Sequence, residues 1–348
     1  MASREYKREA VGCVSVEPRQ AEMYRRLMKG LLDRRYKVEQ CGLRVCFPVT
    51  SVHEALKVAR ENGVDASPCE RRFTPSRRVE GIGRLFPSLD VHSYVLVGDI
   101  ALFHPRPGHP LEELREPASY LVEAMGVKSV YAKLSTVGEE RKAKLVLLAG
   151  TDNPVTVHRE YGLSFQVDVS AAYVNPRLGF ERRLVAGEVE PGELVLDLFS
   201  GVGGHSIHVA SLREAHVVAA DINPTAVYLQ ARNILLNKKR LKGRIDLYML
   251  DARYAPQYFK PVFDRIIADN PTMHARFIGV ECSLSREGTI IHHYLVGGEE
   301  PPSLHVARLF EDEGCRVRVE NTRRVLPYSP RTYIWRMDLR VEKPSRRL

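Results

Sequence analysis

An apolar strand runs directly into a glycine-rich turn in the stretch Leu194-Val-Leu-Asp-Leu-Phe-Ser-Gly-Val-Gly-Gly-His205. Residues 194–199 have the composition of a buried strand, and residues 205–212 are predicted to form the helix that follows. Glycines at the junction, Gly201 and Gly203, let a ligand approach the backbone closely, and the N-terminus of the helix faces it. The stretch therefore predicts the first strand, turn and helix of a ligand-binding sheet.

Alternating strands and helices continue outward from this turn. Strands are predicted at residues 215–220, 245–250, 263–268, 288–296 and 315–321, and a helix is predicted at residues 224–237. Such alternation indicates a parallel sheet with helices on both faces, because a crossover helix must join parallel strands. We therefore expect an α/β fold whose Rossmann-like domain covers residues 171–348.

Two acids follow the next predicted strands and narrow the choice of ligand. Asp221 stands twenty residues after Gly201, where a carboxylate can accept both ribose hydroxyls of an adenosine. Asp251 follows the third strand, where a carboxylate can meet the adenine amino group. A dinucleotide site would want a third glycine at the position of Ser206, so NAD is the less favoured alternative.

Together, the turn and the acids resemble the class I S-adenosylmethionine-dependent methyltransferases. S-adenosylmethionine is therefore the expected cofactor, and no metal is called for, because the sulfonium needs no further activation. At the end of the fourth strand, Asp269-Asn270-Pro271 should border the pocket and hold polar groups toward a planar base. The residues expected to contact the cofactor are Asp197, Phe199, Gly201, Gly203, Asp221, Ile222, Asp251, Ala252 and Asp269.

Positive charge is concentrated ahead of this domain. The chain of 348 residues carries a formal net charge of +9, and residues 1–90 hold 18 Lys and Arg against 12 Asp and Glu. We predict a basic docking module over residues 1–80, with a Pro- and Arg-rich linker that begins near residue 66 and extends to about residue 90. A small α+β domain should follow over residues 91–170. A nucleic acid suits the basic module.

Six cysteines are scattered at positions 13, 41, 46, 69, 282 and 315, without a Cys-x-x-Cys pair. Cys41 and Cys46 would point to opposite faces of a single strand, so we expect no shared metal there. Free buried thiols in a reducing cytoplasm are the expectation. The chain lacks a charge-free apolar run of about 18 residues and the apolar stretch of a secretory signal, which predicts a cytoplasmic protein without a membrane span.

Short motifs along most of the chain resemble the archaeal and eukaryotic tRNA (guanine-N1)-methyltransferases that modify guanosine 37. No single motif is specific, but their order and spacing are. The motifs are Gly30-Leu-Leu-Asp-Arg-Arg-Tyr-Lys37 with Phe47-Pro-Val49, then Gly98-Asp-Ile-Ala101, Val127-Lys-Ser-Val130, His158-Arg-Glu-Tyr-Gly162 and Asn175-Pro-Arg-Leu178 with Glu181-Arg182, and finally Asp221-Ile-Asn-Pro224, Asn233-Ile-Leu-Leu-Asn237, Ile291-His-His-Tyr294 and Tyr328-Ser-Pro330.

The resemblance implies a reaction and the roles of two further residues. Glu181 corresponds to the general base that takes the proton from guanine N1, and Arg141 to the arginine that stabilises the charge on O6. The substrate would be tRNA, bound at its anticodon loop and outer corner, and we expect a monomer. The residues expected to contact RNA are Arg34, Arg35, Tyr36, Lys37, Arg177, Lys238 and Lys239.

One tripeptide departs from the family pattern. Where the family usually has Asn-Leu-Pro, this chain has Asp269-Asn270-Pro271, and an ionised Asp269 cannot donate the amide hydrogen bonds. Asp-x-Pro motifs occur in methyltransferases of exocyclic amino groups, although Thr272 cannot stack on a base as their next residue does. A related branch transfers an aminocarboxypropyl group in wybutosine synthesis. An RNA-binding protein with a relic cofactor fold is the remaining alternative.

Overall fold

The computed structural model describes residues 10–28, 30–33, 36–73, 86 and 94–344. The chain divides into two compact units, residues 1–85 and residues 86–348. No helix in the described ranges is long and apolar enough to span a membrane. The helices are α1 (Ala21–Leu27) and α2 (Val52–Glu61) in the first unit, and α3 (Arg115–Met125), α4 (Gly179–Glu188), α5 (Gly204–Leu212), α6 (Pro224–Asn237), α7 (Ala255–Tyr258), α8 (Ile278–Ser283) and α9 (Ser303–Asp312) in the second.

A four-stranded antiparallel sheet forms the centre of the first unit. Its spatial order is β2 (Glu39–Cys41), β3 (Arg44–Pro48), β1 (Val11–Val16) and β4 (Ala66–Arg71). Both helices pack on one face of the sheet, where Tyr24 meets Phe47 edge-on with ring centroids 5.1 Å apart. Ser51 caps α2 by accepting a hydrogen bond from the amide of Glu54 at 3.3 Å, which satisfies one of the exposed donors of the first turn.

The other face of this sheet carries four cysteines, and for these the expectation of free thiols is wrong. Cys13 is bonded to Cys69, and Cys41 to Cys46. Cys41 and Cys46 lie on the two strands of the hairpin β2–β3 rather than on one strand. The chain reverses between them at Gly42, whose φ of 64° suits a glycine, and both sulfurs thereby reach the same face. The two remaining cysteines, at positions 282 and 315, are buried thiols.

Part of the predicted linker is also wrong. Residues 66–71 form strand β4, which pairs in register with β1 from Val11 opposite Arg71 to Val16 opposite Ala66. Pro68 is tolerated because β4 is an edge strand, where a missing backbone N–H breaks no ladder. Most of the remaining predicted linker, residues 74–85 and 87–90, lies outside the described residues.

Two small sheets precede the main sheet of the second unit. One has the order β5 (Tyr94–Val97), β6 (Ile100–Phe103), β7 (Ser129–Val137) and β8 (Lys142–Gly150), and the other is the hairpin of β9 (Val155–Glu160) and β10 (Leu163–Asp168). The side-chain amides of Asn233 and Asn237 on α6 each accept a hydrogen bond from a backbone N–H of β10 and donate one to a backbone carbonyl, at Gln166 and Ser164 respectively. Residues 86–348 form one compact unit, which shows no boundary near residue 170. A separate domain that ends there stays a prediction.

Seven strands form the main sheet, and the α/β fold expected from the sequence is confirmed. The spatial order is β13 (Arg244–Met249), β12 (His216–Asp221), β11 (Leu194–Asp197), β14 (Phe263–Ala268), β15 (Ser285–Gly297), β17 (Thr332–Lys343) and β16 (Arg316–Ser329). The first five strands are parallel, and β17 runs against both of its neighbours. The sequence pattern does not predict β17, because the buried Arg336 and Asp338 interrupt its apolar run.

The strand order reverses between β11 and β14, where a parallel sheet opens a crevice outside its carboxyl edge. β11 leads into the glycine turn, and β14 leads into Asp269-Asn270-Pro271. The topology therefore brings these two motifs to the same edge of the sheet.

Candidate active site

The turn after β11 is shaped by two glycines in the left-handed region. Gly201 has φ 53° and Gly203 has φ 95°, a conformation that residues with a Cβ rarely adopt. A Cβ on Gly203 would lie 2.8 Å from Cδ1 of Ile207, whereas nothing lies within 4 Å of a Cβ on Gly201. Gly203 therefore allows close packing inside the protein, and Gly201 leaves open space beside a cavity that it lines.

Asp221, at the end of β12, holds this turn in place. Its Oδ2 accepts a hydrogen bond from the Gly201 amide at 2.8 Å, and its Oδ1 accepts one from the Asn223 amide at 2.8 Å. Burial raises the pKa of the Asp221 carboxyl, and the two amide bonds oppose that rise. Each oxygen keeps a second lone pair, so the carboxylate can also accept hydrogen bonds from the hydroxyls of a ligand.

Asp251, which follows β13, lines the same cavity and is held as an anion. Nε of Arg253 donates to both of its oxygens, at 3.0 and 2.9 Å. The same guanidinium donates from Nη2 to Oε2 of Glu139 at 2.8 Å. The hydrogen bonds from Arg253 keep the pKa of Asp251 below its usual range. Its negative charge is therefore fixed beside the cavity.

This cavity collects most of the residues expected at the cofactor. Its lining includes Phe199, Gly201, Asp221, Ile222, Asp251, Ala252 and Asp269. Asp197 and Gly203 are not among the lining residues. Asp197 is fully buried beneath the turn, where its Oδ2 accepts a hydrogen bond from Oγ of Ser206 at 2.6 Å, and burial raises its pKa to about 6. Asp197 thus anchors the start of α5, and a direct contact with the cofactor stays a prediction.

Arg141 lies in the turn between β7 and β8 and reaches the same cavity. Its φ is 56°, and strain of this kind in a residue other than glycine is concentrated at functional sites. The guanidinium carbon lies 4.2 Å from the centroid of the Tyr173 ring, and Nζ of Lys133 lies 5.4 Å from the same centroid. Burial and the nearby charge of Arg141 lower the pKa of Lys133. The side chains of Arg141 and Lys133 can therefore stabilise a substrate group on which negative charge develops.

All three residues of Asp269-Asn270-Pro271 line the cavity. The carbonyl of Pro271 accepts a hydrogen bond from the amide of Val296 at 3.1 Å, which ties the tripeptide to β15. Oδ2 of Asp269 lies 3.3 Å from Nε2 of His205, the second residue of α5, which also lines the cavity. Oδ1 of Asn270 is buried and has no hydrogen-bond partner within the described part of the chain. No sequence pattern pointed to His205.

Glu181 is not among the residues that line this cavity, although it lies in the first turn of α4 beside Arg182, which does. It is only 3% exposed. Its Oε1 accepts hydrogen bonds from Nη1 of Arg336 at 3.0 Å and from the hydroxyl of Tyr294 at 3.2 Å. Its Oε2 accepts one from Nε of Arg323 at 3.1 Å. Both oxygens are satisfied by donors from β15, β16 and β17 that sequence reasoning missed.

A second buried carboxylate, Glu160, lies in the cavity wall. Nη1 of Arg182 donates to its Oε1 at 2.6 Å, and Nε2 of His208 lies 3.1 Å from its Oε2. Burial alone would raise the pKa of Glu160, but hydrogen bonds from His158 and His208 and the charge of Arg182 hold it well below its usual range. This cluster joins β9 to α4 and α5 and so holds the cavity wall together.

The residues expected to contact RNA are distributed over both units. Tyr36 is half-buried and Lys37 is exposed in the first unit, whereas Arg34 and Arg35 lie outside the described residues. In the second unit, Lys238 and Lys239 are exposed in the helical turn after α6, and Arg177 is exposed in the turn before α4. Contact of any of these residues with RNA stays a prediction.

Comparison with known proteins gives a consistent set of relatives. The family model described as the TRM5/TYW2 methyltransferase domain matches residues 156–326. The tRNA (guanine(37)-N(1))-methyltransferase Trm5b of Pyrococcus abyssi is 31% identical over 340 residues, which are 94% of this chain and 98% of that protein. The tRNA(Phe) (4-demethylwyosine(37)-C(7)) aminocarboxypropyltransferase of Pyrococcus horikoshii is 32% identical over 255 residues, which are 72% of this chain and 89% of that protein.

The similarity extends to solved structures. The structure of aTrm5 in complex with tRNALeu matches this chain with a TM-score of 0.67 at 28% sequence identity. The match covers 95% of this chain and 99% of that one, so the similarity extends over nearly the whole of both chains.

Proposed function

The chain belongs to the TRM5/TYW2 methyltransferase family, and on that premise we propose that it methylates N1 of guanosine 37 in tRNA. It is an S-adenosylmethionine-dependent tRNA methyltransferase. The position and the atom are proposed because the chain matches 98% of the length of the Pyrococcus abyssi Trm5b. The match to the aminocarboxypropyltransferase covers less of both chains, 72% of this chain and 89% of that protein, than the match to Trm5b, which covers 94% and 98%.

The observation that carries the proposal is the composition of one cavity. Gly201 and Asp221, which belong to the glycine turn, line it together with Arg141 and with Asp269 and Asn270 of the tripeptide. A cofactor-binding turn and groups suited to a purine base therefore open into the same space. This arrangement supports transfer between a bound cofactor and a base inserted beside it.

The residues present fit S-adenosylmethionine. Gly201 leaves open space for close approach, and Asp221 keeps lone pairs for the ribose hydroxyls. Phe199 packs edge-on against Phe277 with centroids 4.8 Å apart, which offers an apolar wall to the adenine near Ile222 and Ala252. When bound, the cofactor supplies an electrophilic methyl group on its sulfonium.

Guanine N1 carries a proton at neutral pH, and this proton must leave for N1 to become an effective nucleophile. We assign its acceptance to Glu181 and the stabilisation of negative charge on O6 to Arg141. Oε1 of Glu181 already accepts two hydrogen bonds, so the proton goes to Oε2, which among the described residues has only Arg323 as a donor and keeps a lone pair. Arg323, whose side chain is 37% exposed, is the partner free to move, whereas Arg336 is almost fully buried. N1 then loses its proton to Glu181 and gains the methyl group.

Basic residues of both units provide the proposed RNA contacts. In this proposal Arg34, Arg35, Tyr36 and Lys37 belong to a docking module that binds the outer corner of the tRNA, separate from the small domain that ends near residue 170. Arg177, Lys238 and Lys239 bind the phosphates of the anticodon loop. We propose that the enzyme acts as a monomer on tRNA in the cytoplasm.

The test is transfer of label from methyl-labelled S-adenosylmethionine to an unmodified tRNA transcript with guanosine at position 37. Nucleoside mass spectrometry should find 1-methylguanosine, and the product should disappear when that guanosine is replaced by adenosine. An aminocarboxypropyl adduct or an N2-methyl product would contradict the proposed atom or the transferred group. Absence of any product would contradict the proposed target.

A further inference from the structure

The tripeptide that departs from the family pattern has a partner in this chain. Nε2 of His205 lies 3.3 Å from Oδ2 of Asp269, and the two side chains are only 6% and 16% exposed. A carboxylate this deeply buried is costly unless a donor satisfies it. His205 supplies that donor from the first turn of α5. Its ring packs near Tyr294 with centroids 5.8 Å apart, which limits its freedom to turn away.

A carboxylate at position 269 changes what this residue offers to a base. An asparagine presents both a donor and an acceptor, whereas an ionised aspartate only accepts. With Oδ2 held by His205, Oδ1 is the oxygen that remains for a ligand, and the described residues provide it with no hydrogen-bond donor. An acceptor that lines the cavity and would be covered by a bound base therefore needs a donor from that base.

Guanine provides such a donor in its 2-amino group, and hypoxanthine, the base of inosine, does not. From this complementarity we infer that the His205–Asp269 pair reads the 2-amino group and selects guanosine over inosine as the target. Asp269 contacts the base through Oδ1, and His205 is a positioning residue that holds Oδ2. A bound inosine would cover Oδ1 without giving it a partner, and sites built to bond a substrate amine reject analogues that lack it. The inference rests on the proposed function, since it names what that site selects.

The test compares kcat/KM for two tRNA transcripts that differ only in guanosine or inosine at position 37. The wild-type enzyme should favour guanosine by about 100-fold or more. Asp269→Asn should lower this ratio by at least about tenfold, because His205 would hold the amide oxygen and the amide N–H would face the 2-amino group donor to donor. Both substrates are measured on one enzyme preparation, so loss of folded protein cancels in the ratio.

Variants of His205 test its positioning role. His205→Leu removes the donor and should lower the ratio as Asp269→Asn does, whereas His205→Gln keeps an N–H and should retain more of it. The double variant His205→Leu/Asp269→Asn should be no worse than Asp269→Asn alone, because both changes remove the same interaction. Full additivity of the two changes would overturn the role of His205.

A second His–Asp pair provides the matched control. Nε2 of His216 lies 2.7 Å from Oδ2 of Asp246, and neither residue is among those lining the cavity. His216→Leu and Asp246→Asn should leave the ratio unchanged. Equal kcat/KM for both transcripts in the wild-type enzyme, or an unchanged ratio in Asp269→Asn, would overturn the inference while 1-methylguanosine is still formed. Failure of the wild-type enzyme to form 1-methylguanosine would overturn the proposed function as well, and this is read from the product rather than from the ratio.

Discussion

The Asp221 turn and the Glu181 cluster hold their carboxylates in opposite ways. In the Asp221 turn, the donors are backbone amides of Gly201 and Asn223, twenty residues and two residues away along the chain. In the Glu181 cluster, the donors are side chains that lie 113, 142 and 155 residues away, from Tyr294, Arg323 and Arg336.

This difference separates binding from chemistry. Backbone amides are neutral, and only a substitution by proline removes one, so the Asp221 turn is a stable platform for a ligand. Two guanidiniums and a phenol are strong donors around Glu181, and their effect depends on each side chain being present. We therefore expect substitutions in the Asp221 turn to change the affinity for the cofactor, and substitutions in the Glu181 cluster to change turnover.

The largest effect is expected from Glu181→Gln. The amide cannot accept the N1 proton, so kcat should fall roughly 100- to 10,000-fold while the affinity for S-adenosylmethionine is unchanged. Single-turnover kinetics and calorimetry measure the two quantities. Glu188→Gln is the matched control, because Glu188 accepts a hydrogen bond from the same Arg336 at 2.7 Å but is not among the residues that line the cavity. Full turnover of Glu181→Gln would contradict the role of Glu181 as general base, and with it the proposed separation of binding from chemistry.

Arg141→Lys should have the next largest effect. The charge is kept, but the planar contact with Tyr173 and the forked donors are lost, so kcat should fall by about 10- to 100-fold. Steady-state kinetics with saturating cofactor measures the change. Arg308→Lys, at an exposed position on α9 outside the cavity lining and the proposed RNA contacts, serves as the control for a generic arginine-to-lysine effect. A loss confined to the KM for S-adenosylmethionine would place Arg141 with the binding residues instead.

Asp221→Asn should act on binding alone. The amide has only one acceptor atom, so a backbone amide or a ribose hydroxyl loses its partner, and the Kd for S-adenosylmethionine should rise by about tenfold. Calorimetry measures the Kd, and kcat at saturating cofactor should stay near the wild-type value. Asp246→Asn, at a half-buried site on neighbouring β13, should change neither quantity. If kcat falls while the Kd stays at the wild-type value, binding and chemistry are not separable as proposed.

The last effect is on stability rather than on turnover, and it concerns the pH dependence at Asp197. Burial raises the pKa of this carboxyl from 3.8 to about 6, so the folded state favours its protonated form. Its contribution to stability is fully present below the unfolded pKa and is lost as the pH rises through about 6. From about pH 4 to about pH 7, the free energy of unfolding should therefore fall relative to Asp197→Asn, by on the order of 3 kcal/mol. Urea unfolding of both proteins at several pH values measures this difference in the free energy of unfolding. The same pH dependence in both proteins would contradict the raised pKa of Asp197.

The sequence was a good guide to the Asp221 turn. The glycine turn, Asp221 and Asp251 each follow a strand directly, and carboxyl ends of parallel strands meet at one edge of a sheet. Strand and helix periodicity was therefore enough to bring these residues together in a prediction. The Asp197 side chain lies beneath the turn, hydrogen-bonded to the amide and hydroxyl of Ser206, and its contact with the cofactor stays a prediction.

The first unit shows where local patterns mislead. Residues 66–71 contain a proline and few apolar side chains, so they look like a linker, yet pairing with β1 makes them an edge strand. The same pairing places Cys69 opposite Cys13. Disulfide partners depend on which strands pair, and strand pairing across 56 residues has no local signature.

From the amino-acid order alone, the α/β fold, the glycine turn and the acids at the strand ends could be predicted, because each depends on contacts within a few consecutive elements. The donors around Glu181 and the pairing of His205 with Asp269 could not. They depend on how β15, β16 and β17 align and on where α5 meets the end of β14. Burial makes these charged contacts strong, and burial is a property of the packed protein rather than of any segment.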